Sequence, residues 1–172
     1  SEDCDKLYKK TIEEFEGVDI LVNNAAGVSL VTLADENEED FLRVMKTNVW
    51  SPLHLARLCR ESMRKRGGGA VINITSNEGV RPSMGIGTYA LSKAALINMA
   101  QLLGKEWAGD NIRVTCIAPG LIRTELAKDL VDAVERSGSP INPQRRVGEP
   151  NEIAGLALFL ASPAGAFATS MT

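Results

Sequence analysis

The stretch AVINIT, residues 70–75, determines how the rest of the sequence is interpreted. It is short, apolar and rich in β-branched side chains, which is typical of a strand covered on both faces. Two further runs have the same character, VDILVN at 18–23 and IRVTCI at 112–117. Because strands buried on both faces belong to parallel sheets, the three runs predict a parallel sheet of three recognisable strands.

Helical patterns fill the segments between these strands. The first segment spaces apolar residues over a polar background and ends at Gly17, which indicates an amphipathic helix with a glycine stop. A long helical pattern runs from about residue 37 to 66, and Pro52 inside it predicts a kink or a break. Residues 87–108 and 150–161 are predicted as two more helices. Strands that alternate with helices imply right-handed crossovers, so we expect a three-layer α/β fold with helices on both faces.

Composition and charge narrow the class of protein. The 172 residues suffice for one domain, and 44% hydrophobic with 24% charged residues is ordinary for a globular chain. A formal net charge of -3 provides no basic surface for nucleic acid. The longest apolar runs are too short to span a bilayer, and the polar start SEDCDKLYKK does not match a signal peptide. Three widely spaced cysteines suggest neither a disulfide framework nor a metal site. We therefore expect a cytoplasmic protein without metal, nucleic-acid partner or membrane segment.

Small and polar clusters follow each predicted strand. NNAAG occupies residues 23–27, SNEG residues 76–79 and APGLIRT residues 118–124. In open α/β sheets, ligands bind outside the carboxyl ends of the strands. The sequence therefore predicts a ligand site where these three clusters meet.

The stretch TYALSK, residues 88–93, places Tyr89 and Lys93 on one helix face. A free phenol has a pKa of about 10, and an ammonium about 4 Å away contributes about 4 kcal/mol at an effective dielectric of about 20. That energy corresponds to a pKa lower by about three, less whatever desolvation of the phenolate takes back. The pair would then exchange protons near neutral pH. The alternative is a core tyrosine beside a solvated lysine, and the pair alone is a weak motif.

Two polar residues elsewhere are candidates for the same site. Ser76 follows the strand AVINIT, where its hydroxyl would donate to a substrate oxygen; the alternative is an ordinary turn serine. Asn48 lies inside the long helical pattern, where asparagine is mildly unfavourable; the alternative is an exposed helical asparagine. Neither residue decides the function without its neighbours.

Five motifs, in this order and spacing, resemble the short-chain dehydrogenase/reductase family. They are DILVNNAAG, TNV, VINITS, YALSK and IAPGLIRTEL, and the tail RRVGEPNEIAGLALFLAS resembles the last helix of that family and its approach. The likeness extends from about residue 3 to residue 170. It implies a Rossmann-like fold and an oxidoreductase that transfers a hydride between NAD or NADP and a small alcohol or carbonyl substrate.

The same resemblance assigns roles to individual residues. Tyr89 would be the general acid/base, and Ser76 would orient and polarise the carbonyl. Lys93 would lower the pKa of the phenol and hold the nicotinamide ribose, and Asn48 would anchor a water of the proton relay. Besides Tyr89 and Lys93, the positions that match cofactor contacts are Asn24, Ala25, Pro119, Gly120, Ile122 and Thr124.

The chain also departs from the pattern of the family. Ala26 and Ser170 stand where a glycine is usual, and no strand is followed by the G-x-x-x-G-x-G turn that receives the pyrophosphate. We therefore expect residues 1–172 to be a single domain truncated at both ends, without the early strands and the last one. Such a chain would bind a dinucleotide poorly by itself, and the residue that distinguishes NAD from NADP would be missing.

Substrate and partners are predicted only in outline. The segment between Thr124 and Pro143, with the hinge SGSP, is predicted to be a substrate lid. The two long helices would form a homo-oligomer in the intact protein. Two alternatives stay open: a family member that catalyses epimerisation or dehalogenation, or a catalytically inactive fragment unable to bind the dinucleotide.

Overall fold

A parallel sheet of three strands forms the centre of the computed structural model, which describes residues 2–138 and 142–172. The strands are β1 (Ile20–Asn23), β2 (Gly69–Ile74) and β3 (Ile112–Ile117), and β2 lies in the middle. Both pairs of neighbours are parallel. The three predicted strands and their direction are therefore confirmed.

Helices surround this sheet. The described residues contain α1 (Glu2–Phe15), α2 (Glu38–Met45), α3 (Ser51–Lys65), α4 (Gly87–Glu106), α5 (Lys128–Ser137) and α6 (Pro150–Ala161). None of the helices in this part of the chain is long and apolar enough to cross a membrane.

Two apolar clusters show that helices cover both faces of the sheet. On one face, Val71 of β2 packs with side chains of α3 and α4 that include Met63 and Leu103. On the other face, Ile72 packs with Leu160 of α6. Val71 and Ile72 are successive residues, so they point to opposite faces as the pleat of a strand requires. The predicted three-layer arrangement is confirmed.

The long helical segment contains one irregular turn. α2 ends at Met45, residues Lys46–Trp50 form a wide π-helical turn, and α3 begins with the next residue. Pro52 lies in the first turn of α3, and it has no N–H with which to make the regular i+4 bond to the carbonyl of Asn48. The predicted break is therefore present, although it lies just before the proline. Such π turns occur frequently at functional sites.

The last residues of the chain run beside β3. The backbone N–H of Ser170 donates to the carbonyl of Val114, and the N–H of Cys116 donates to the carbonyl of Met171. Ser170 has a φ of 59°, in the left-handed region that favours glycine, which agrees with the glycine expected there from the family pattern.

Candidate active site

The loops that follow the strands meet at one edge of the sheet, as predicted. Asn73 of β2 lies opposite Asn23 of β1, and Ile74 lies opposite Ile117 of β3, so the carboxyl ends of the strands are aligned. Beyond β2, the backbone N–H of Asn77 donates a 2.9 Å hydrogen bond to the carbonyl of a residue in the loop after β3, Pro119. This bond holds SNEG against APGLIRT.

Tyr89 and Lys93 share one face of α4. The Lys93 Nζ lies 5.4 Å from the centre of the Tyr89 ring. The lysine side chain is buried, with a relative exposure of 2%, and its Nζ donates a 2.9 Å hydrogen bond to the carbonyl of Ile74 at the end of β2. The alternative of a solvated lysine is therefore wrong, because the ammonium lies inside the protein at the carboxyl edge of the sheet.

Burial dominates the protonation behaviour of this pair. Desolvation lowers the pKa of Lys93 to about 8, with Cys116 acting weakly in the opposite direction. Desolvation also raises the pKa of Tyr89, and the Glu78 carboxylate raises it further, whereas hydrogen bonding with Ser76 lowers it. The spacing of Tyr89 and Lys93 predicted a net lowering of the phenol pKa. That prediction is wrong in this structure, where the pKa is raised. The Lys93 ammonium faces the tyrosine ring and the Ile74 carbonyl. The loss of water around a Tyr89 phenolate outweighs the attraction between that phenolate and the ammonium.

Ser76 is both a turn residue and a neighbour of the phenol. Its side chain is buried, and its Oγ accepts a 3.2 Å hydrogen bond from the backbone N–H of Glu78, which caps a short 3₁₀ turn over Asn77–Gly79. The same hydroxyl donates to the side-chain carbonyl of Asn77 at 3.2 Å. Because it also interacts with the Tyr89 phenol, the structure brings the predicted serine and tyrosine together.

The short turn after Ser76 is pressed onto the backbone of α4. A Cβ added at Gly79 would lie 2.7 Å from the Lys93 carbonyl carbon and 2.9 Å from the Ala94 nitrogen, closer than real Cβ atoms approach. Only glycine fits at this contact without a shift of backbone. The contact therefore fixes the distance between Ser76 and the helix that carries Tyr89.

Asn48 connects the loop after β1 to α4. Its side chain is 1% exposed, accepts a 2.7 Å hydrogen bond from the N–H of Gly27 and donates a 2.9 Å bond to the Gly27 carbonyl. Its second amide hydrogen donates to the Ser92 hydroxyl at 2.8 Å, and that hydroxyl donates to the carbonyl of Tyr89. The alternative of an exposed helical asparagine is wrong. Since both amide hydrogens are used within the protein, the role of anchoring a water stays a prediction.

Comparison with known proteins identifies the family. The family model described as enoyl-(acyl carrier protein) reductase matches residues 1–172. The chain is 39% identical over 158 residues to the 3-oxoacyl-[acyl-carrier-protein] reductase FabG of Chlamydia trachomatis, covering 92% of this chain and 64% of that protein. The chain belongs to the short-chain dehydrogenase/reductase family. It is also 35% identical over 175 residues to dehydrogenase/reductase SDR family member 4 of Oryctolagus cuniculus, covering all of this chain and 67% of that protein.

Solved structures of short-chain dehydrogenases share this fold. A 7α-hydroxysteroid dehydrogenase in complex with NADH and 7-oxo glycochenodeoxycholic acid superposes with a TM-score of 0.92 at 36% identity, over 99% of this chain and 67% of that one. L-sorbose reductase from Gluconobacter frateurii, in complex with NADPH and L-sorbose, superposes with a TM-score of 0.89 at 33% identity. The match covers 99% of this chain and 69% of that one. The Rossmann-type fold expected from the resemblance is confirmed.

The residues that match the cofactor contacts of the family lie in two loops. Asn24 and Ala25 directly follow β1, and both are exposed. Pro119 is half-buried and accepts the bond from the loop after β2, whereas Gly120 is exposed and has open space where a Cβ would stand. All four lie at the carboxyl edge of the sheet, as the short-chain dehydrogenase pattern predicts.

The other two matching residues lie farther along the loop after β3. Ile122 is half-buried and pairs with Gly148 through an isolated bridge. Thr124 is exposed and contributes to a cavity of about 360 Å³ between this loop and α5. No hydrogen bond in the described residues joins either of them to the tyrosine, serine or lysine, so their cofactor role stays a prediction.

The described part of the predicted lid contains a short 3₁₀ turn, Glu125–Ala127, and helix α5. Arg123 connects this helix to the start of α6. Its guanidinium donates to Glu135 of α5 at 2.6 Å and to Glu149, which directly precedes α6, at 3.1 Å. All three side chains are about half exposed. The predicted hinge SGSP covers residues 137–140, of which 139 and 140 lie outside the described residues.

Sequence reasoning missed two members of the site. Ser92 lies inside YALSK and links Asn48 to α4, and its polar character between Tyr89 and Lys93 was the available signal. Glu78 lies two residues after Ser76 and acts electrostatically on the phenol, which its acidic side chain in SNEG could have suggested. Among the described residues, no group of three or more potential ligands is arranged to hold a metal ion.

Proposed function

We propose that this protein is an oxidoreductase that transfers a hydride between NAD(P)(H) and an alcohol or ketone substrate. The observation that carries this proposal is that Ser76 and Lys93 both lie beside the Tyr89 side chain, at the carboxyl edge of the sheet. That is the edge at which ligands of open α/β sheets bind. The tetrad with Asn48 and the placement in a single domain are part of the proposal.

Tyr89 would act as the general acid in reduction and as the general base in oxidation. In reduction its phenolic proton moves to the substrate oxygen while the carbonyl carbon accepts a hydride. The raised pKa of Tyr89 supports the acid role, because the phenol keeps its proton at neutral pH. Ser76 would donate a hydrogen bond to the same oxygen after its hydroxyl turns away from Asn77.

Lys93 fits the part of a cofactor-binding residue. An ammonium carries three N–H donors, and in the described residues one of them is bonded, to the Ile74 carbonyl. The others remain for the ribose hydroxyls of a nicotinamide cofactor, which supplies the hydride when bound. The solved relatives were determined with NADH or with NADPH, so we propose either dinucleotide. The further contacts proposed are Asn24, Ala25, Pro119, Gly120, Ile122 and Thr124.

Asn48 would act by positioning rather than by contact with substrate. Its side chain fixes Gly27 against α4, and Pro52 deprives its backbone carbonyl of the regular i+4 donor. That carbonyl is the acceptor on which we place the proposed relay water. The substrate is proposed to be a small alcohol or carbonyl compound, and the intact protein is proposed to be a homo-oligomer.

The exchange Tyr89→Phe tests the function, and Tyr8→Phe is its matched control. Tyr8→Phe removes the same hydroxyl from a tyrosine of α1 that packs on the core. The rate is measured with carbonyl substrates of several classes, at an NAD(P)H concentration high enough that the rate no longer increases. Under these conditions Tyr89→Phe should lower kcat/KM by roughly 10²- to 10⁴-fold. Tyr8→Phe should stay within a few-fold of the parent chain.

Calorimetric titration with NAD(H) and NADP(H) separates chemistry from binding. Tyr89→Phe should leave cofactor affinity nearly unchanged, because it removes a proton donor and keeps the ring. Turnover of Tyr89→Phe at the rate of the Tyr8→Phe control would remove the phenol from the proposed role.

A further inference from the structure

Ser92 is a buried serine between the two residues of the Tyr-Lys pair. It lies in α4, three positions after Tyr89 and directly before Lys93, and its side chain has a relative exposure of 0%. Its hydroxyl accepts a 2.8 Å hydrogen bond from the Asn48 amide and donates a 2.7 Å bond to the Tyr89 carbonyl. The direction of this hydroxyl is therefore fixed by a partner on each side.

The chain of hydrogen bonds through Ser92 has a single direction. The Tyr89 carbonyl can only accept, so the hydroxyl proton of Ser92 points to it and Ser92 faces Asn48 as an acceptor. At the other end, the Gly27 N–H donates to the amide oxygen of Asn48, and the Gly27 carbonyl accepts from its nitrogen. An amide turned over would place donor against donor and acceptor against acceptor at Gly27. The Asn48 side chain is therefore held in one orientation from both ends.

This chain connects two parts of the site that are far apart in the sequence. Gly27 belongs to the loop after β1, two residues after the proposed cofactor contact Ala25, and the other end is the backbone of Tyr89. Movement of the loop relative to α4 would break the chain. The bond between Asn48 and Ser92 lies in the interior, where water does not replace a lost partner, so such movement is costly.

Thr88 shows that burial of a hydroxyl in α4 does not by itself form such a link. Its side chain is also 0% exposed and directly precedes Tyr89. Among the described residues, however, the Thr88 Oγ1 has no hydrogen-bond partner. The two hydroxyls are equally buried in one helix, and Ser92 is the one that is bonded on both sides.

We propose that Ser92 is a positioning residue: through Asn48, its hydroxyl holds the loop after β1 at a fixed separation from the Tyr89 side chain. Its meaning for catalysis rests on the proposed function, in which that loop contacts the cofactor and Tyr89 transfers the proton. Ser92 itself touches neither substrate nor cofactor in this role. It acts by keeping the phenol in register with the bound nicotinamide.

Hydrogen exchange of single backbone amides tests the link without cofactor or substrate. Ser92→Ala removes the hydroxyl and introduces a residue of high helix propensity, so the chain should stay folded. The Gly27 amide, which donates to Asn48, should then exchange roughly three- to tenfold faster than in the parent chain, the factor expected for loss of one hydrogen bond. The amides of β2 report any change in global stability, for which the Gly27 rate is corrected.

Thr88→Val is the matched control. It removes a buried hydroxyl from the same helix with little change of shape, and it should leave the exchange of Gly27 unchanged because that hydroxyl has no hydrogen bond to lose. Ser92→Cys keeps the size of the side chain and replaces the hydroxyl by a thiol, a weaker donor and acceptor. Its Gly27 rate should lie between those of Ser92→Ala and the parent chain. Circular dichroism reports whether each variant is folded.

Turnover distinguishes a positioning residue from one that only stabilises the fold. In the assay described for Tyr89→Phe, Ser92→Ala should lower kcat by roughly 10- to 100-fold, because a displaced phenol transfers its proton less efficiently. The KM for the carbonyl substrate should be nearly unchanged, since Ser92 makes no contact with that substrate. Thr88→Val should keep the kcat and the KM of the parent chain.

Equal exchange of Gly27 in Ser92→Ala and Thr88→Val would overturn the proposal, as would an unchanged kcat of Ser92→Ala where Tyr89→Phe is inactive. If Ser92→Ala does not fold, Ser92→Cys decides alone, and exchange at the rate of the parent chain then counts against the link. Faster exchange of Gly27 combined with full turnover of Tyr89→Phe would refute the proposed function and leave the link through Ser92 intact. Unchanged exchange with inactive Tyr89→Phe would do the reverse.

Discussion

Polar side chains bind their partners in two different ways in this molecule. Around the first half of α4, Asn48, Ser92 and Lys93 are at most 2% exposed and bonded to backbone or to one another. Around α5, Arg123 and Glu135 form an ion pair in which both side chains are about half exposed. Water can replace a lost partner in the second region and not in the first, so equal numbers of hydrogen bonds contribute very different energies.

This difference corresponds to the different tasks proposed for the two regions. The region around α4 must keep the phenol, hydroxyl and ammonium at fixed separations, which buried hydrogen bonds achieve. The region around α5 is the candidate lid, and exposed ion pairs hold such a segment while allowing it to open at small cost.

Asn48→Ala should produce the largest effect on stability. It removes the side-chain partner of the part-buried Gly27 N–H and carbonyl and the donor to the buried Ser92 hydroxyl. Each unsatisfied buried group costs about 1 to 3 kcal/mol, so the free energy of unfolding should fall by about 3 kcal/mol or more in urea titrations. The control Asn37→Ala removes an exposed amide that caps α2, and it should cost about 1 kcal/mol. Similar losses for the two variants would contradict the contrast between buried and exposed polar groups.

Lys93→Met should change how stability depends on pH. Burial depresses the pKa of Lys93 from 10.5 to about 8, so between these values the unfolded chain binds a proton that the folded protein does not. The free energy of unfolding of the parent chain should therefore rise, relative to Lys93→Met, as the pH increases from about 8 to about 10.5. Since one pH unit corresponds to about 1.36 kcal/mol, the relative gain approaches roughly 3 kcal/mol.

Comparison with the variant is needed because other groups titrate in the same range. Burial raises the pKa of both Cys59 and Cys116 to about 11, so ionisation of these thiols destabilises the fold as the pH rises. Cys59 contributes equally in both chains and cancels in the difference. Cys116 and Lys93 act on one another, so loss of the ammonium raises the pKa of Cys116 further and the Cys116 contribution cancels only in part. Parallel stability curves for the parent chain and Lys93→Met would show that the ammonium is hydrated in the folded state.

The fold could be predicted because its signals are local. β-branched runs specify strands, and the repeat of 3.6 residues places Tyr89 and Lys93 on one face of α4 from spacing alone. Ser76 could be placed beside them because parallel strands present their carboxyl ends at one edge. The wide turn at 46–50 had only Pro52 as a signal, which located the irregularity to within a few residues.

The energetics of the site could not be predicted, because they depend on distant contacts. The partners of Asn48 lie 21 and 44 residues away, so its burial is not visible in the helical pattern. The direction of the Tyr89 pKa was wrong for the same reason. Spacing along a helix gives the distance to an ammonium, whereas desolvation depends on everything that covers the phenol.

Arg123→Gln should produce the smallest effect on stability, and it tests the exposed ion pairs around α5. It removes hydrogen-bonded ion pairs to Glu135 and Glu149 whose members remain in contact with water. We expect a small decrease in the urea midpoint at low salt that shrinks as sodium chloride screens the charges. Arg136→Gln removes the same charge from the last turn of α5 and provides the matched control.

Acid should abolish the difference between Arg123→Gln and the parent chain. Hydrogen bonding to Arg123 lowers the pKa of Glu135 from 4.5, so the pair contributes stability at neutral pH and loses it as the pH falls through that lowered value. Measured below that range, the parent chain and Arg123→Gln should therefore unfold at the same urea concentration. A loss that persists in acid and at high salt would mean that the guanidinium acts through packing of its stem against α5 rather than through its charge, and the two regions would then differ less than their exposure indicates.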